Sequence, residues 1–449
     1  VKGQARGEFS SRLGFILAAT GSAVGLGNIW GFPTNTAENG GAAFLLVYLI
    51  LAFCLAYPAL MAELIIGRHC RANIVSALGG LPSGKIGRNL GVAAGLVGVF
   101  TASAILGFYS LVAGWMVAQL AAQGATLAGA DGLADWLDRQ SLARDMGCAL
   151  IFTVFTITLV GEGVKEGIER WSSRLMPLLL LLLLALITYV MSQPGAALGL
   201  KVYLLPDISR VLDGELIISA LGQAFFSLSL GVGTMLIYGS YIPREENLPT
   251  LGAAVTLIDM GVAFLAGLLI LPALFVAQQG GVEIYQNGEL IAGPTLILQV
   301  LPTLFDTMGT AGIIFALAFF ALLTIAALTS SISMLEVPTS LLVESTVLER
   351  RSASWLAGGV IFMLTVALVI WFDPLFALVV TATTEYSEPL LGIVLCLFAG
   401  WVISRNKLLE ELRHGNPDIE HSYFWKIWPP YMRFFCPLLI AAAFIQSLR

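Results

Sequence analysis

Charge is what this chain of 449 residues has least of: Asp, Glu, Lys and Arg make up 12% of it, against 57% hydrophobic residues and a mean hydropathy of +0.87. So little charge excludes an ordinary water-soluble domain. The five cysteines (Cys54, Cys70, Cys148, Cys396, Cys436) form no CxxC pair, which argues against a disulfide framework and a thiolate metal site and leaves them as packing residues. Histidine is equally sparse, and His69, His414 and His421 fall in polar loop segments. No GxSxG or HExxH occurs, so a membrane-embedded enzyme finds no nucleophile, base or metal set. The net charge of -6 is spread over loops, and no basic stripe suggests a nucleic acid. The start, "VKGQARGEFSSRLGF", lacks a secretory h-region and cleavage site, so the first apolar segment is expected to stay.

Long apolar runs are there instead. They recur from Leu13 almost to the C-terminus at roughly 20 residues each, the length a helix needs to cross about 30 Å of hydrocarbon. "LMPLLLLLLLALITYVM" (Leu175 to Met191) does not alternate, which excludes a β-barrel. The expectation is an all-α membrane protein, one transporter domain over 1–449, with about eleven spans at 11–36, 40–68, 89–123, 143–160, 166–191, 215–241, 250–277, 309–344, 354–371, 375–403 and 427–447. Lys2, Arg6, Arg12, Arg68, Arg71, Lys85, Arg88, Lys165, Arg170, Arg174, Arg350, Arg351, Arg405, Lys407, Arg413 and Lys426 all fall on one side, placing it and the N-terminus in the cytoplasm. The opposite side holds the acidic 129–138 loop and the segment from Gln278 to Gly309, which has no Lys or Arg.

Two spans are interrupted. "AVGLGN" (Ala23 to Asn28) and "SLGVGT" (Ser229 to Thr234) share one pattern and open the two five-span halves, 11–191 and 215–403, with 427–447 left as an additional helix. Irregular backbone survives at membrane depth only where it lines a cavity or binds something. Paired breaks in corresponding places point to the midplane site of a secondary transporter. The bland alternative, a GxxxG packing face at Gly21 and Gly25, does not account for the second break.

With "GSAVGLGN", "GQAFFSLSLGVG" (Gly222 to Gly233) and "LTSSIS" (Leu328 to Ser333), the chain resembles the neurotransmitter:sodium symporter family over nearly its whole length, in its bacterial amino-acid branch. That resemblance implies two inverted five-helix repeats with broken helices 1 and 6. It implies two sodium sites: one from the Ala23 carbonyl, Asn28, Ser227 and Asp259, the other from the carbonyls of Gly21, Val24 and Ala326 with the hydroxyls of Thr329 and Ser330. Oxygen ligands suit a hard cation, and unwound backbone supplies free carbonyls.

By the same resemblance the substrate pocket is lined by Ser22, Ala23, Gly25, Leu26, Gly27, Ile105, Tyr109, Phe226, Ser227, Ser229, Val232, Ser330 and Met334. Amine-transporting relatives carry an aspartate where this chain has Gly25, so the substrate is expected to bring its own carboxylate. Ile105, Phe226, Val232 and Met334 make the other end apolar, and Val232 replaces the phenylalanine of a leucine-transporting relative. Hydrophobic L-amino acids, aliphatic and aromatic, follow as the expected cargo. A membrane-embedded enzyme, an ion channel and a symporter for another small zwitterion are the alternatives.

Arg6 and Glu344 match the family's cytoplasmic gate pair, with Tyr241 and Glu336 nearby; each charge could instead cap a solvated helix end. On the extracellular side the family's gate arginine is replaced by Gly31 and its acidic partner by Phe376, which leaves outer closure to Trp30, Phe226 and Phe376. Gly167 and Pro177 bracket a weak stretch of the fifth span. Chloride-dependent relatives have asparagine at Asp259 and serine at Ala263, so chloride independence is expected. Glu63, Glu385 and Glu388 mark either proton paths or structural hydrogen bonds, and the sequence does not separate the two. The lipid bilayer of a bacterial cytoplasmic membrane is the expected setting, and the oligomeric state is left open.

Overall fold

The computed structural model describes residues 7–205, 210–286, 289–290, 301–302, 305 and 310–447. Arg6 and much of the 278–309 segment lie outside the described residues. Among those described, nine helices are long and apolar enough to cross a bilayer, or ten if one bent pair counts as a span.

The bent pair is the first expected span. Helix α1 (Arg12–Ala23) begins at Ser11, whose hydroxyl accepts the Gly14 N–H, and ends where Val24 turns extended. A π-helical turn over Gly27–Gly31 and α2 (Phe32–Glu38) continue it after a bend of 56°. The second span is α3 (Ala42–Leu51) and α4 (Tyr57–Cys70), joined through a π-helical turn at Ala52–Ala56. Helix α5 (Ile74–Gly80) leads to α6 (Lys85–Leu127), the longest, and α7 (Asp131–Asp138) leads to α8 (Leu142–Gly161). A π-helical turn over Val164–Glu169 opens α9 (Arg170–Met191), which holds Pro177 in its interior, and α10 (Ala196–Leu204) follows.

The sixth expected span, 215–241, is not one helix. It is α11 (Gly214–Ser227) and α12 (Thr234–Gly239), each too short to cross alone. Between them Ser229, Gly231 and Gly233 have φ of 51°, 75° and 87°, a left-handed run that no helix accommodates. Gly231 has a second reason to lack a side chain, because a Cβ there would lie 2.2 Å from the Glu388 carbonyl oxygen.

The chain continues through α13 (Leu248–Gln279), a short hairpin of β1 (Tyr285–Gln286) with β2 (Glu289–Leu290), α14 (Thr310–Ser345), α15 (Arg350–Ile370) and α16 (Phe372–Val380). Then come a π-helical turn at Thr381–Ser387, α17 (Glu388–Leu397), another at Phe398–Val402, α18 (Arg405–Arg413) and α19 (Tyr423–Ser447). The last span starts before the expected residue 427 because Pro429 and Pro430 are carried inside the helix rather than breaking it.

Helices α6 and α14 pack along each other, with α1 against α9, α13 and α14. Three details differ from expectation. Arg68 is not a solvated loop charge: it is fully buried, its Nε donates to Glu411 at 2.7 Å, and its Nη1 donates to the Glu246 carbonyl. His69 lies in the last turn of α4 rather than in a loop, 3.4 Å from Glu411. Cys54 is exposed, so it does not pack the core, whereas Cys396 and Cys436 are buried with their sulfurs 3.7 Å apart.

Candidate ion and substrate site

The two breaks face each other, and the side chains nearest them are polar and buried. The Asn28 amide nitrogen donates to the Asp259 carboxylate at 2.7 Å and to the Ser227 hydroxyl at 3.0 Å. Ser227 in turn donates to the other Asp259 oxygen at 2.8 Å. Asn28, Ser227 and Asp259, from α1's continuation, α11 and α13, are each at most 2% exposed. The Asn28 oxygen is left facing the unwound backbone, where it accepts the Gly25 N–H at 3.4 Å. Tyr48 of α3 completes the cluster by donating to Ser227 at 3.2 Å.

A second group of oxygens lies one turn away. The Ser330 hydroxyl is 3.4 Å from both the Gly21 and Val24 carbonyls, and the Thr329 hydroxyl is 3.1 Å from the Ala326 carbonyl. Thr329 and Met176 of α9 close on Gly21, where a Cβ would meet them at 3.2 and 3.3 Å. Ser330 thus reaches two of the five expected oxygens across the break, while Thr329 bonds back within its own helix to the Ile325 and Ala326 carbonyls. Their chemistry is that of a hard monovalent cation, and among the described residues no three His, Cys, Asp or Glu side chains cluster to suggest a transition metal.

Between the two groups lies a short run of backbone with unusual exposure to side chains. The Leu26 N–H donates to the Tyr109 hydroxyl at 3.1 Å, and Ser229 donates to the Ser22 carbonyl at 3.4 Å. Ser22 also donates to Ser333 at 2.6 Å. A Cβ at Gly25 would lie 2.7 Å from Ser330 Oγ and 2.8 Å from the Tyr109 oxygen, so a side chain there would have to push these hydroxyls aside. At Gly27 it would lie 3.0 Å from the Phe226 ring. Ala23, Ile105, Val232 and Met334 belong to one buried apolar cluster, and Leu26 is buried against a second.

The two ends of the site differ in their packing. Toward the N-terminal end, Phe9 is 2% exposed and packs edge-on against Phe15, Tyr238 and Tyr241. Beside it Glu336, fully buried, accepts hydrogen bonds from both Tyr241 and Arg350, and Arg350 also donates to the Val160 carbonyl. Glu344 accepts the backbone and side-chain N–H groups of Asn73, each at 2.8 Å; its expected partner Arg6 lies outside the described residues. At the other end Phe226 is 39% exposed. Trp30 and Phe376 are half-buried, and among the described residues Phe376 meets the rings of Phe372 and Phe108 rather than those of Trp30 or Phe226. The expected three-ring closure is thus not assembled here. What joins the two broken spans there is Gln223, which accepts from Asn35 at 2.6 Å and donates to the Gly27 carbonyl at 3.1 Å.

No sequence signal marks Tyr48, Met176 or Gln223 for the site, and Arg350 counts there only as a charge on the cytoplasmic side. Glu63, for which the sequence allows a proton path or structural hydrogen bonds, accepts the Gly231 N–H at 2.7 Å and the Leu236 N–H at 3.2 Å, holding the broken backbone of the sixth span. It therefore makes the structural hydrogen bonds that were one of the two readings.

The sequence is matched over residues 6–128 and 137–449 by a family model described as the sodium:neurotransmitter symporter family. The chain belongs to that family. An uncharacterized sodium-dependent transporter, YhdH, of Bacillus subtilis is 32% identical across 98% of this chain and 97% of its own length. The bovine sodium- and chloride-dependent taurine transporter is 26% identical over 72% of this chain and 58% of its own. Among solved structures, the crystal structure of MhsT in complex with L-phenylalanine superposes with a TM-score of 0.83 at 35% identity, covering 99% of this chain and all of that one. The protein is a multi-pass, sodium-dependent symporter with the MhsT fold, in a family of transporters rather than enzymes.

Proposed function

We propose that this symporter imports hydrophobic L-amino acids, aliphatic and aromatic, across a bacterial cytoplasmic membrane, with its N-terminus in the cytoplasm. Two sodium ions accompany the substrate. One is held by the Ala23 carbonyl, Asn28, Ser227 and Asp259, the other by the Gly21, Val24 and Ala326 carbonyls with Thr329 and Ser330. The observation that carries this reading is the close approach of Ser330 and Tyr109 to Gly25, a position that bears no carboxylate and where any side chain would have to displace both hydroxyls. With Gly25 in place of an acidic side chain, the pocket has no carboxylate of its own for a substrate amine, which favours a substrate that brings its own carboxylate, as an amino acid does. The Tyr109 hydroxyl and the amides of the broken first span receive it, since free N–H groups at a helix terminus favour an anion.

The apolar end supports the side-chain preference. Burying a Leu or Phe side chain among Ile105, Val232 and Met334 is worth roughly 1.5 to 3 kcal/mol. Met334 is flexible enough to accept either shape. The likeness to MhsT, whose solved complex contains L-phenylalanine, is consistent with this size.

In the proposed cycle residues 11–191 and 215–403 act as the two inverted repeats. The sealed N-terminal end and the exposed Phe226 correspond to access from outside. Inward opening then requires breaking the Glu336, Tyr241 and Arg350 contacts, with Arg6 and Glu344 as the further gate pair, and unwinding the fifth span between Gly167 and Pro177. Trp30, Phe226 and Phe376 close the outer side in that step. Because Asp259 supplies a negative charge of its own, chloride is not needed. The test is uptake of labelled leucine, phenylalanine and tryptophan into proteoliposomes under a sodium gradient, and failure of all three to be taken up or to compete overturns the substrate assignment.

A further inference from the structure

The stretch that precedes the first helix is tied to the fifth span at one residue. Glu169 closes the π-helical turn Val164–Glu169, is 5% exposed, and accepts three hydrogen bonds from residues ahead of α1: the Ser10 N–H and the Ser10 hydroxyl at 2.7 Å each, and the Ser11 hydroxyl at 3.2 Å. The carboxylate lies flat on the first turn of α1, where a Cβ at Gly14 would stand only 1.9 Å from its Oε1. Among the described residues no Lys or Arg is ion-paired with it, so these three donors and the helix N-terminus are what satisfy it. The same N-terminal stretch seals the bundle elsewhere: the Phe9 N–H donates to the Tyr241 carbonyl at 3.1 Å, and Glu8 pairs with Arg71 at 2.5 Å.

Glu169 therefore sits in two devices at once. It is the anchor of the N-terminal latch, and it lies two residues into the weak stretch between Gly167 and Pro177. We propose that Glu169, seated by Gly14, is a positioning residue that makes release of the N-terminal latch and unwinding of the fifth span a single event. If residues 7–11 leave, the carboxylate loses its donors while still buried, and unwinding the turn is the local way to hydrate it. If the turn unwinds first, the latch loses its anchor. Burying a carboxylate without partners is unfavourable enough to make either half-open state rare. Linkage then requires the two openings to raise each other's probability by the same factor, typically 5- to 150-fold for coupled sites.

This rests on the alternating-access reading and adds a specific coupling to it. Hydrogen exchange on the full chain in lipid nanodiscs, in sodium buffer, follows the amides of 7–14 and of 164–173 separately. Glu169→Gln keeps the shape and removes the charge; Gly14→Ala keeps the charge and pushes the carboxylate off its seat. Both are expected to speed exchange in both segments, by at least about fivefold. Pro177→Ala, which touches neither residue 10 nor 11, is expected to slow exchange in both. Faster exchange in 7–14 alone, with 164–173 unchanged in both Glu169→Gln and Gly14→Ala, overturns the coupling. The unmutated chain in sodium against potassium tests the parent reading independently, because there sodium must protect both segments whatever Glu169 does.

Discussion

Asn28 and Asp259 meet across the bundle with the amide nitrogen of one 2.7 Å from the carboxylate of the other, both fully sequestered from solvent. The amide presents its N–H groups to Asp259 and Ser227, which leaves its oxygen for the broken backbone of the first span. A buried carboxylate whose donors among the described residues are neutral is a place that favours a cation.

Asp259→Asn removes that charge and keeps the shape. Hydrogen bonds and ligation to a charged group are worth about 1.5 to 3 kcal/mol, so apparent sodium affinity is expected to fall roughly 10- to 100-fold. Sodium titration of transport or of thermal stability checks it. An unchanged affinity places the ion elsewhere.

Val232 is 2% exposed and belongs to the same apolar cluster as Ile105 and Met334. Enlarging it to Phe adds bulk where an aromatic substrate is proposed to lie, at a cost of about 1 to 3 kcal/mol of overpacking. Tryptophan binding is expected to weaken by tenfold or more relative to valine or alanine, read by competition against a labelled substrate. Equal losses for large and small substrates put Val232 outside the pocket.

Pro177 is exposed in the interior of an unbroken helix, and it cannot donate a backbone hydrogen bond. Pro177→Ala strengthens that turn. Turnover and sodium release on the inner side are expected to slow severalfold while equilibrium binding of sodium and substrate is preserved, because only the opening step uses the weak turn. Stopped-flow release against equilibrium binding separates the two. Normal turnover makes the proline a static kink.

Glu411, on the short helix α18 outside the spans, is a separate anchor. Burial alone would raise its carboxyl, but the hydrogen bonds and charges of His69 and Arg68 outweigh this and hold it below the usual 4.5. A lowered folded value means stability that is present above the ordinary carboxylate range and is lost as pH falls through the folded value. Thermal unfolding of the intact chain should therefore lose stability as pH drops below about 4.5, and Glu411→Gln should start less stable and show a flatter acid limb. An identical pH profile in the variant assigns the acid loss to other carboxylates.

The spans were legible because hydropathy and length together leave few alternatives in a bilayer, and the two breaks because glycines at membrane depth have few uses. Asn28, Ser227 and Asp259 are polar residues in apolar runs, so they announced themselves. Tyr48 and Arg350 did not, for opposite reasons. Tyr48 reads as one more aromatic of a packed helix, and its contact with Ser227 depends on how α3 and α11 cross. Arg350 reads as a loop charge, and only the fold reveals that it reaches Glu336 and Val160. The π-helical turns at Ala52–Ala56 and Thr381–Ser387 carry no compositional mark, since one extra residue in a turn is set by packing. Arg68 was misplaced because a charge count sees its sign and not its partner Glu411.

The most direct measurement is uptake of labelled L-leucine and L-phenylalanine into proteoliposomes, with external sodium replaced by potassium and, separately, chloride replaced by gluconate. The account predicts saturable accumulation that disappears without sodium and is unaffected by the loss of chloride. Uptake that persists without sodium, or that collapses in gluconate, would contradict it.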